Sequence, residues 1–465
     1  MGAGAEVVLR LGALAGLLLA LRAAAGELDA DDVELRVAIE QRQPELEAQL
    51  ADWVGRNTGS WNTAGLEAFA PLVGAELAAL GFQVRIEPGA PLDYPDRKDA
   101  RTGPLVVAER AATLEPEHAR HMLLIGHLDT VFESDSPFQR MSVDPNDATR
   151  ALGPGVADMK GGLVVLVAAL RALAESGELA RCDLTVLLDS DEELGSLGSR
   201  ARIEDEARKA VLALVFEAPR EGGEMARSHG GAGQFYLAVE GVAAHASNSA
   251  TEGHSAIVAL ARKVIAIESL TDYDRGLLLN VGTIAGGTKR NIVPDHASAW
   301  IDLRYDDPAV GAEAARKLEE IARQVDVPGT SGRLWGRLHR PPKPETPAVD
   351  ELLALHKRLT RELGYPAPDP VHALGVTDGS LTAALGLVTL DTLGPRGGNA
   401  HTEREFVVLR SLSERAAIAA VLLRHLARAP ASEPKPVGLP APPRKLESSG
   451  PSPAVIAGSR PVVGP

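Results

Sequence analysis

Four short segments place acids or a histidine where an apolar run stops: GHLDT at 126–130, GPGVADMKGG at 153–162, DSDEELGS at 189–196 and FEAP at 216–219. His127 and Asp129 are two residues apart, so in extended backbone both side chains leave on one side; one can hold a metal while the other orients it. Asp158 sits in the glycine-rich turn, which opens a helix at Gly162. Asp191, Glu192 and Glu193 follow the run 184–188, and Glu217 follows 211–216. In open α/β sheets ligands bind beyond the carboxyl ends of the strands, so the four segments converge on one crevice. Carboxylates crowded there repel one another and are costly to desolvate, and a multivalent cation relieves both effects. Singly, each segment also reads as a polar strand cap, a tight turn, a solvated acidic loop or a surface glutamate. Their shared position at strand ends favours the metal.

The elements that must position these residues are legible in outline. From about residue 28 to 218, helical periods (34–53, 66–80, 162–174) alternate with short apolar runs (105–108, 122–125, 184–188, 211–216), the pattern of a mostly parallel, doubly wound sheet. From 233 to 340 the order becomes strand, helix, strand, strand, helix, strand, that of a ferredoxin-like βαββαβ unit. The first pattern then resumes with a helix at 347–363, a strand at 387–392 and a last helix at 411–426. The fold class is therefore α/β, one catalytic domain (27–220 and 341–428) interrupted by a small α+β insertion (221–340).

Composition narrows the possible functions. A formal charge of −15 over 465 residues excludes nucleic acid or an anionic membrane surface as the partner. With 3% aromatic residues the core must come from Ala, Val, Leu and Ile. A single cysteine, Cys182, excludes a disulfide framework and a Cys-rich zinc module, which leaves His and carboxylates as metal ligands. The run LGALAGLLLAL at 11–21 is about half the roughly 20 residues a membrane span needs. Arg10 before it and small residues after it give the layout of a signal peptide over 1–26, hence a periplasmic or secreted protein, the alternative being cytoplasmic. Residues 429–465 form a Pro-rich tail expected to be disordered.

Together GHLDTVF, LGPGVADMKGG, DSDEELGS, FEAP, VEGVAAHAS, GGTKRNIVPDHASAWIDLRY and GPRGGNAHTERE resemble, in order, the zinc metallopeptidases that include glutamate carboxypeptidase, aminoacylase, acetylornithine deacetylase and succinyl-diaminopimelate desuccinylase. The likeness runs from about 35 to 428 and is strongest to glutamate carboxypeptidase. It implies two Zn²⁺ per subunit, with Co²⁺ or Mn²⁺ as substitutes. His127, Asp158 and Glu217 would hold one ion, and Asp158, Glu193 and His401 the other. It also implies a cis peptide after Asp158, Asp129 as the acceptor that fixes the His127 ring, and Glu192 as general base. The two ions against three ligand carboxylates leave one net positive charge, fit to activate water and polarise a carbonyl. His245 would steady the oxyanion across a homodimer interface, while Asn291, Arg304 and Arg340 would meet the substrate.

The resemblance implies hydrolysis of an amide next to a free carboxylate in a small peptide or an N-acyl amino acid. An N-acyl amino acid deacylase or dipeptidase of the same family is the alternative. The chain reads Leu374-Gly375-Val376-Thr377-Asp378 where glutamate carboxypeptidase has a run of glycines before Thr-Asp, which puts a preference for C-terminal glutamate in question. An inactive binding relative is a second reading, opposed by the intact Glu192. A nucleotide-binding protein is a third, opposed because Lys289 follows no glycine at phosphate-loop spacing and no GxGxxG opens the chain.

Overall fold

Along the strand His121–His127, Met122 and Leu124 pack into one core and Leu123 and Ile125 into another. This burial on both faces is what a near-continuous apolar strand requires. The computed structural model describes residues 27–248, 251–373 and 375–429. The expected signal peptide, and all of the expected tail but Ala429, lie outside the described residues.

The central sheet has six strands in the order Gln83–Glu87, Leu105–Arg110, Asp183–Asp189, His121–His127, Leu212–Val215, Val388–Leu390. The last four are mutually parallel. The run at 105–108 does form a strand, but it is antiparallel to both of its neighbours, so the parallel part of the sheet begins one strand later. All parallel carboxyl ends therefore open on one edge, the edge that carries His127, the 191–193 acids and Glu217.

Helices Lys160–Glu175 and Ser411–Arg428 cover one face, and Arg200–Ala207 and Gly379–Ala384 the other. The expected helix at 34–53 is two helices, Ala30–Gln41 and Gln43–Val54. Pro44 in the first turn of the second lacks the N–H that a continuous ladder needs. The first helix is fastened to the last by Arg424, whose Nη1 donates to Asp29 Oδ1 at 2.8 Å and Asp32 Oδ1 at 2.6 Å.

The insertion contains a four-stranded antiparallel sheet ordered Leu277–Gly286, His296–Tyr305, Gly231–Glu240, Ser331–Arg340. Helices Ala256–Glu268 and Pro308–Arg323 close its own core, around Leu237, Ile301 and Leu318. Aromatic rings tie it to the rest of the structure. Trp300 stands 5.1 Å from Tyr94 between ring centres, and its Nε1 donates to Asp96 Oδ2 at 2.8 Å. Two smaller sheets were not anticipated. One pairs Gly397–Gly398, Phe406–Val408, Asp147–Leu152 and Ser142–Asp144; the other pairs Val371–Ala373 with Ala226–His229. No helix among the described residues is long and apolar enough to cross a membrane.

His356, in helix Pro347–Glu362, is buried, and burial together with the charge of Arg415 lowers its pKa to about 3. A folded-state pKa below the ordinary histidine value means that the unfolded chain takes up the proton first. The associated stability is complete above about pH 6.5 and falls by up to about 1.4 kcal/mol per pH unit toward pH 3. Thermal unfolding of His356→Leu should therefore show a shallower acid slope over that window than the parent chain; equal slopes would remove His356 as the cause.

Candidate metal centre

The strand His121–His127 delivers His127 to the sheet edge, almost fully buried. Its Nε2 faces two carboxylates, Asp158 Oδ1 at 3.2 Å and Glu217 Oε1 at 3.4 Å. Nδ1 meets the Asp129 carbonyl at 3.0 Å and Asp129 Oδ1 at 3.2 Å. Asp129 is itself held by the Ser60 hydroxyl, which donates to Oδ2 at 2.7 Å. The ring is thus fixed from behind and its Nε2 is aimed at the acids.

Asp158 precedes helix Lys160–Glu175, which starts two residues earlier than expected, and the Asp158–Met159 peptide is cis. Three backbone amides of its turn, those of Gly155, Ala157 and Asp158, donate to the Glu405 carboxylate at 2.9–3.0 Å. Gly162 lets the helix start close against the strand that ends before Glu217; a Cβ there would meet the Phe216 carbonyl oxygen at 2.0 Å. Across the cluster His401 Nε2 lies 3.2 Å from Asp158 Oδ2 and 3.1 Å from Glu193 Oε2. His401 has φ of 64°, a left-handed conformation uncommon for a side chain of this size, in the segment that swings it over the acids. Asp158 therefore stands between the two histidines.

Electrostatics describes a site short of positive charge. Burial, then the charge of Asp158, pushes Glu193 up to about 8, and burial also pushes Glu217 well above the usual carboxylate range. Hydrogen bonds to Asp158 and Glu193 raise His401 to about 11. His127 is raised too: burial opposes its charge, but Glu217, Asp129 and Asp158 outweigh it. Without another cation the acids hold protons on both imidazoles. Glu193 Oε1 is buried with no hydrogen-bond partner. Ligand atoms of His127, Asp158 and Glu193 lie within 4.8 Å of one another, as do those of His127, Glu192 and Glu217. A donor set of imidazole and carboxylate, with an orphaned buried oxygen, fits divalent metal.

The neighbouring acids divide their work. Asp191 is buried and accepts the Gly198 amide at 2.6 Å, closing the turn that presents Glu192 and Glu193. Glu192 Oε1 receives Arg340 Nη2 at 2.9 Å. Arg340 is completely buried, with Nη1 on the Gly195 carbonyl at 2.7 Å and Nη2 also reaching Ser196 Oγ at 2.6 Å and Asp378 Oδ1 at 2.9 Å. Both Nη atoms are thus committed to protein acceptors, and the side chain also lines the cavity described below. It is a brace for Glu192 and for the start of helix Gly379–Ala384.

A cavity of about 520 Å³ runs from these acids to the insertion and is lined by Arg304, among others. Nε of Arg304 donates to Asp302 Oδ2 at 2.8 Å. His245 and Asn291 lie on neighbouring exposed loops of the insertion, joined by the Ala246 amide on the Asn291 carbonyl at 3.0 Å. Neither lines the cavity. Sequence reasoning passed over Ser60, Asp378 and Glu405. Glu405 lies within the quoted GPRGGNAHTERE segment, but no spacing connects it to a turn some 250 residues upstream.

A family model described as peptidase family M20/M25/M40 matches residues 123–425. Carboxypeptidase G2 of Pseudomonas sp. (strain RS-16) is 29% identical over 85% of this chain and 92% of its own length. Succinyl-diaminopimelate desuccinylase of Erythrobacter litoralis (strain HTCC2594) is 28% identical over 45% of this chain and 57% of its own length. In fold the chain is similar to human carnosine dipeptidase 1, with a TM-score of 0.70 at 15% identity over 86% of this chain and 99% of that one.

If Asp129 fixes the His127 ring, Asp129→Ala should weaken metal binding by about 10- to 100-fold in a chelator competition, with the circular dichroism spectrum unchanged. Parental affinity in that variant would deny Asp129 the role.

Proposed function

We propose, from the premise that the chain belongs to peptidase family M20/M25/M40, that it is a di-zinc exopeptidase hydrolysing an amide bond next to a free carboxylate. Membership makes it a metallopeptidase of a family that uses divalent metal. The observation that carries the finer reading is Glu192, an acid beside His127 and Glu217 whose carboxyl group is held by Arg340. In this reading His127, Asp158 and Glu217 would hold one zinc, and Asp158, Glu193 and His401 the other. When bound, the ions polarise the scissile carbonyl and acidify water.

The chain's own residues do the rest. Burial raises the pKa of Glu192 while the charge of Arg340 opposes it, which suits a group that must take a proton from water and return it to the leaving amine. Arg304, which lines the same cavity as the acids, supplies a guanidinium for the substrate carboxylate. His245 and Asn291 are assigned to the site of a second copy in a homodimer. That assignment is supported by the exposed edge strand Leu277–Gly286 and by Ile265, which is 72% exposed on a helix of the same insertion. The likeness to carboxypeptidase G2 along 92% of its length favours an exopeptidase over an N-acyl amino acid deacylase or dipeptidase.

The test is hydrolysis of N-benzoyl-L-glutamate, N-benzoyl-L-alanine, N-acetyl-L-glutamate and alanyl-glutamate, each with and without EDTA, alongside zinc analysis. Two zincs per chain and EDTA-sensitive cleavage of the benzoyl substrates are expected, whereas cleavage of the acetyl compound or the dipeptide alone would move the reading to the deacylase or dipeptidase. Glu192→Gln should retain both zincs and lose about 10²- to 10⁴-fold in kcat. Parental turnover by that variant would remove Glu192 as base.

A further inference from the structure

The strand Ser331–Arg340 of the insertion carries one residue too many for its neighbour. Leu338 pairs with Gly233 and Arg340 with Ala232, so His339 is the extra residue of a β-bulge. Adjacent side chains of a regular strand leave on opposite faces. A bulge re-aims them, and here His339 and Arg340 both line the cavity that holds Glu192 and Glu193. The catalytic reading uses Arg340 and leaves His339 without a task. The His339 carbonyl receives Arg200 Nη1 at 3.1 Å. Its ring is held by packing: Nδ1 is buried with no hydrogen-bond partner among the described residues, and a Cβ on Gly195 would meet Nδ1 at 2.8 Å, Cγ at 3.0 Å and Cε1 at 3.2 Å. Burial, then the charges of Arg340, Arg304, Arg337 and Arg200, lower the His339 pKa well below the ordinary histidine value, so the ring is uncharged. It brings no charge to a substrate. What it brings is bulk, fixed against the turn that presents Glu192 and Glu193.

A second cavity, of about 510 Å³, borders the same ring. Among the described residues the two cavities share Gln234 and His339 and no other lining residue. Gln234 is tethered as well, its Nε2 donating to the Tyr94 hydroxyl at 3.3 Å. The second cavity differs from the first in chemistry. Leu92, Leu197, Leu334 and Trp335, each partly exposed, give it apolar walls, and its one cation, Arg337, is offset by one acid, Asp93. With no net charge it suits an apolar acyl group better than a free carboxylate, for which Arg304 is available in the first cavity alone.

We infer that His339, together with Gln234, is a specificity-determining residue: its ring is the partition that closes the catalytic cavity against its apolar neighbour and so limits the length of the acyl group a substrate can carry. The inference rests on the carboxylate-adjacent amide reading above and deepens it, because it restricts the substrate class to short acyl groups. Gly195 leaves the ring no space to turn aside, so a longer group is rejected by collision, and the loss falls on long substrates alone.

The test compares the full-length zinc-loaded protein with His339→Ala and His339→Phe on N-benzoyl-L-glutamate and N-(biphenyl-4-carbonyl)-L-glutamate, which differ by one aromatic ring. The parent should favour the benzoyl compound by about tenfold or more in kcat/KM. His339→Ala should shift that ratio toward the biphenyl compound by about tenfold, and His339→Phe, which restores the bulk, should keep the parental ratio. Binding is followed by tryptophan fluorescence in the Glu192→Gln background. With His339→Ala the biphenyl compound should change the emission of Trp335, an effect absent with His339 in place and lost when Trp335→Phe is added. A parent that takes both compounds equally, or a folded His339→Ala variant with the parental ratio, would overturn the inference. So would an equal shift in His339→Phe, or a shifted ratio without the Trp335 signal, since these indicate a loosened site rather than an opened partition. If His339→Ala does not fold, Gln234→Ala, the other half of the partition, carries the same comparison. A parent that neither cleaves nor binds either compound fails the substrate reading itself, and the inference with it, before any variant is made.

Discussion

The carboxylates of Asp158, Glu192, Glu193 and Glu217 are gathered at one edge of a parallel sheet, and their mutual repulsion is the constraint on which the rest of the architecture depends. Nothing in the central sheet requires them. Glu192, Glu193 and Glu217 stand just past apolar strands that would end as well on serine or asparagine, and Asp158 sits in a turn before a helix. Burial first, and then the charge of Asp158, lifts Glu193 and Glu217 above the normal carboxylate range, and the same acids raise the pKa of both histidines. A fold keeps such an arrangement when a divalent ion resolves it, because one ion offers every acid a partner at once.

Around that cluster the protein has built supports that do no chemistry themselves. Ser60 holds Asp129, Asp129 holds His127, and Glu405 holds the turn of Asp158 by three amides. Arg340 joins Glu192 to Asp378, so the acid assigned to proton transfer and the start of helix Gly379–Ala384 share one cation. Buried charges of this kind are expensive alone, and here each is matched by an opposite charge and by backbone carbonyls or amides.

Much of this was legible in the chain. The strands bearing His127, Glu193 and Glu217 announce themselves as apolar runs that stop at an acid or a histidine, and the βαββαβ order of the insertion follows from alternating periods. The direction of the strand Leu105–Arg110 was not legible, because a run of Leu and Val is equally apolar whichever way it points. Neither was the break between Gln41 and Gln43, where a single proline outweighs an otherwise continuous helical pattern. Arg340 was legible as a residue of the substrate cavity, which it lines, but not as the partner of Glu192 and Asp378, because those contacts join distant parts of the sequence. Glu405 acts through contacts whose partners lie far away in sequence, and only the folded chain brings those partners together.

The Glu405 carboxylate on the turn of Asp158 also fixes when the cluster can exist. His401 and Glu405 are among the last parts of the body to leave the ribosome, while His127 and Asp158 emerge early. Of the ligands assigned above only His401 comes after residue 217, so its share of the cluster and the brace on the turn of Asp158 are both completed only when the small sheet formed by Asp147–Leu152 and Phe406–Val408 closes.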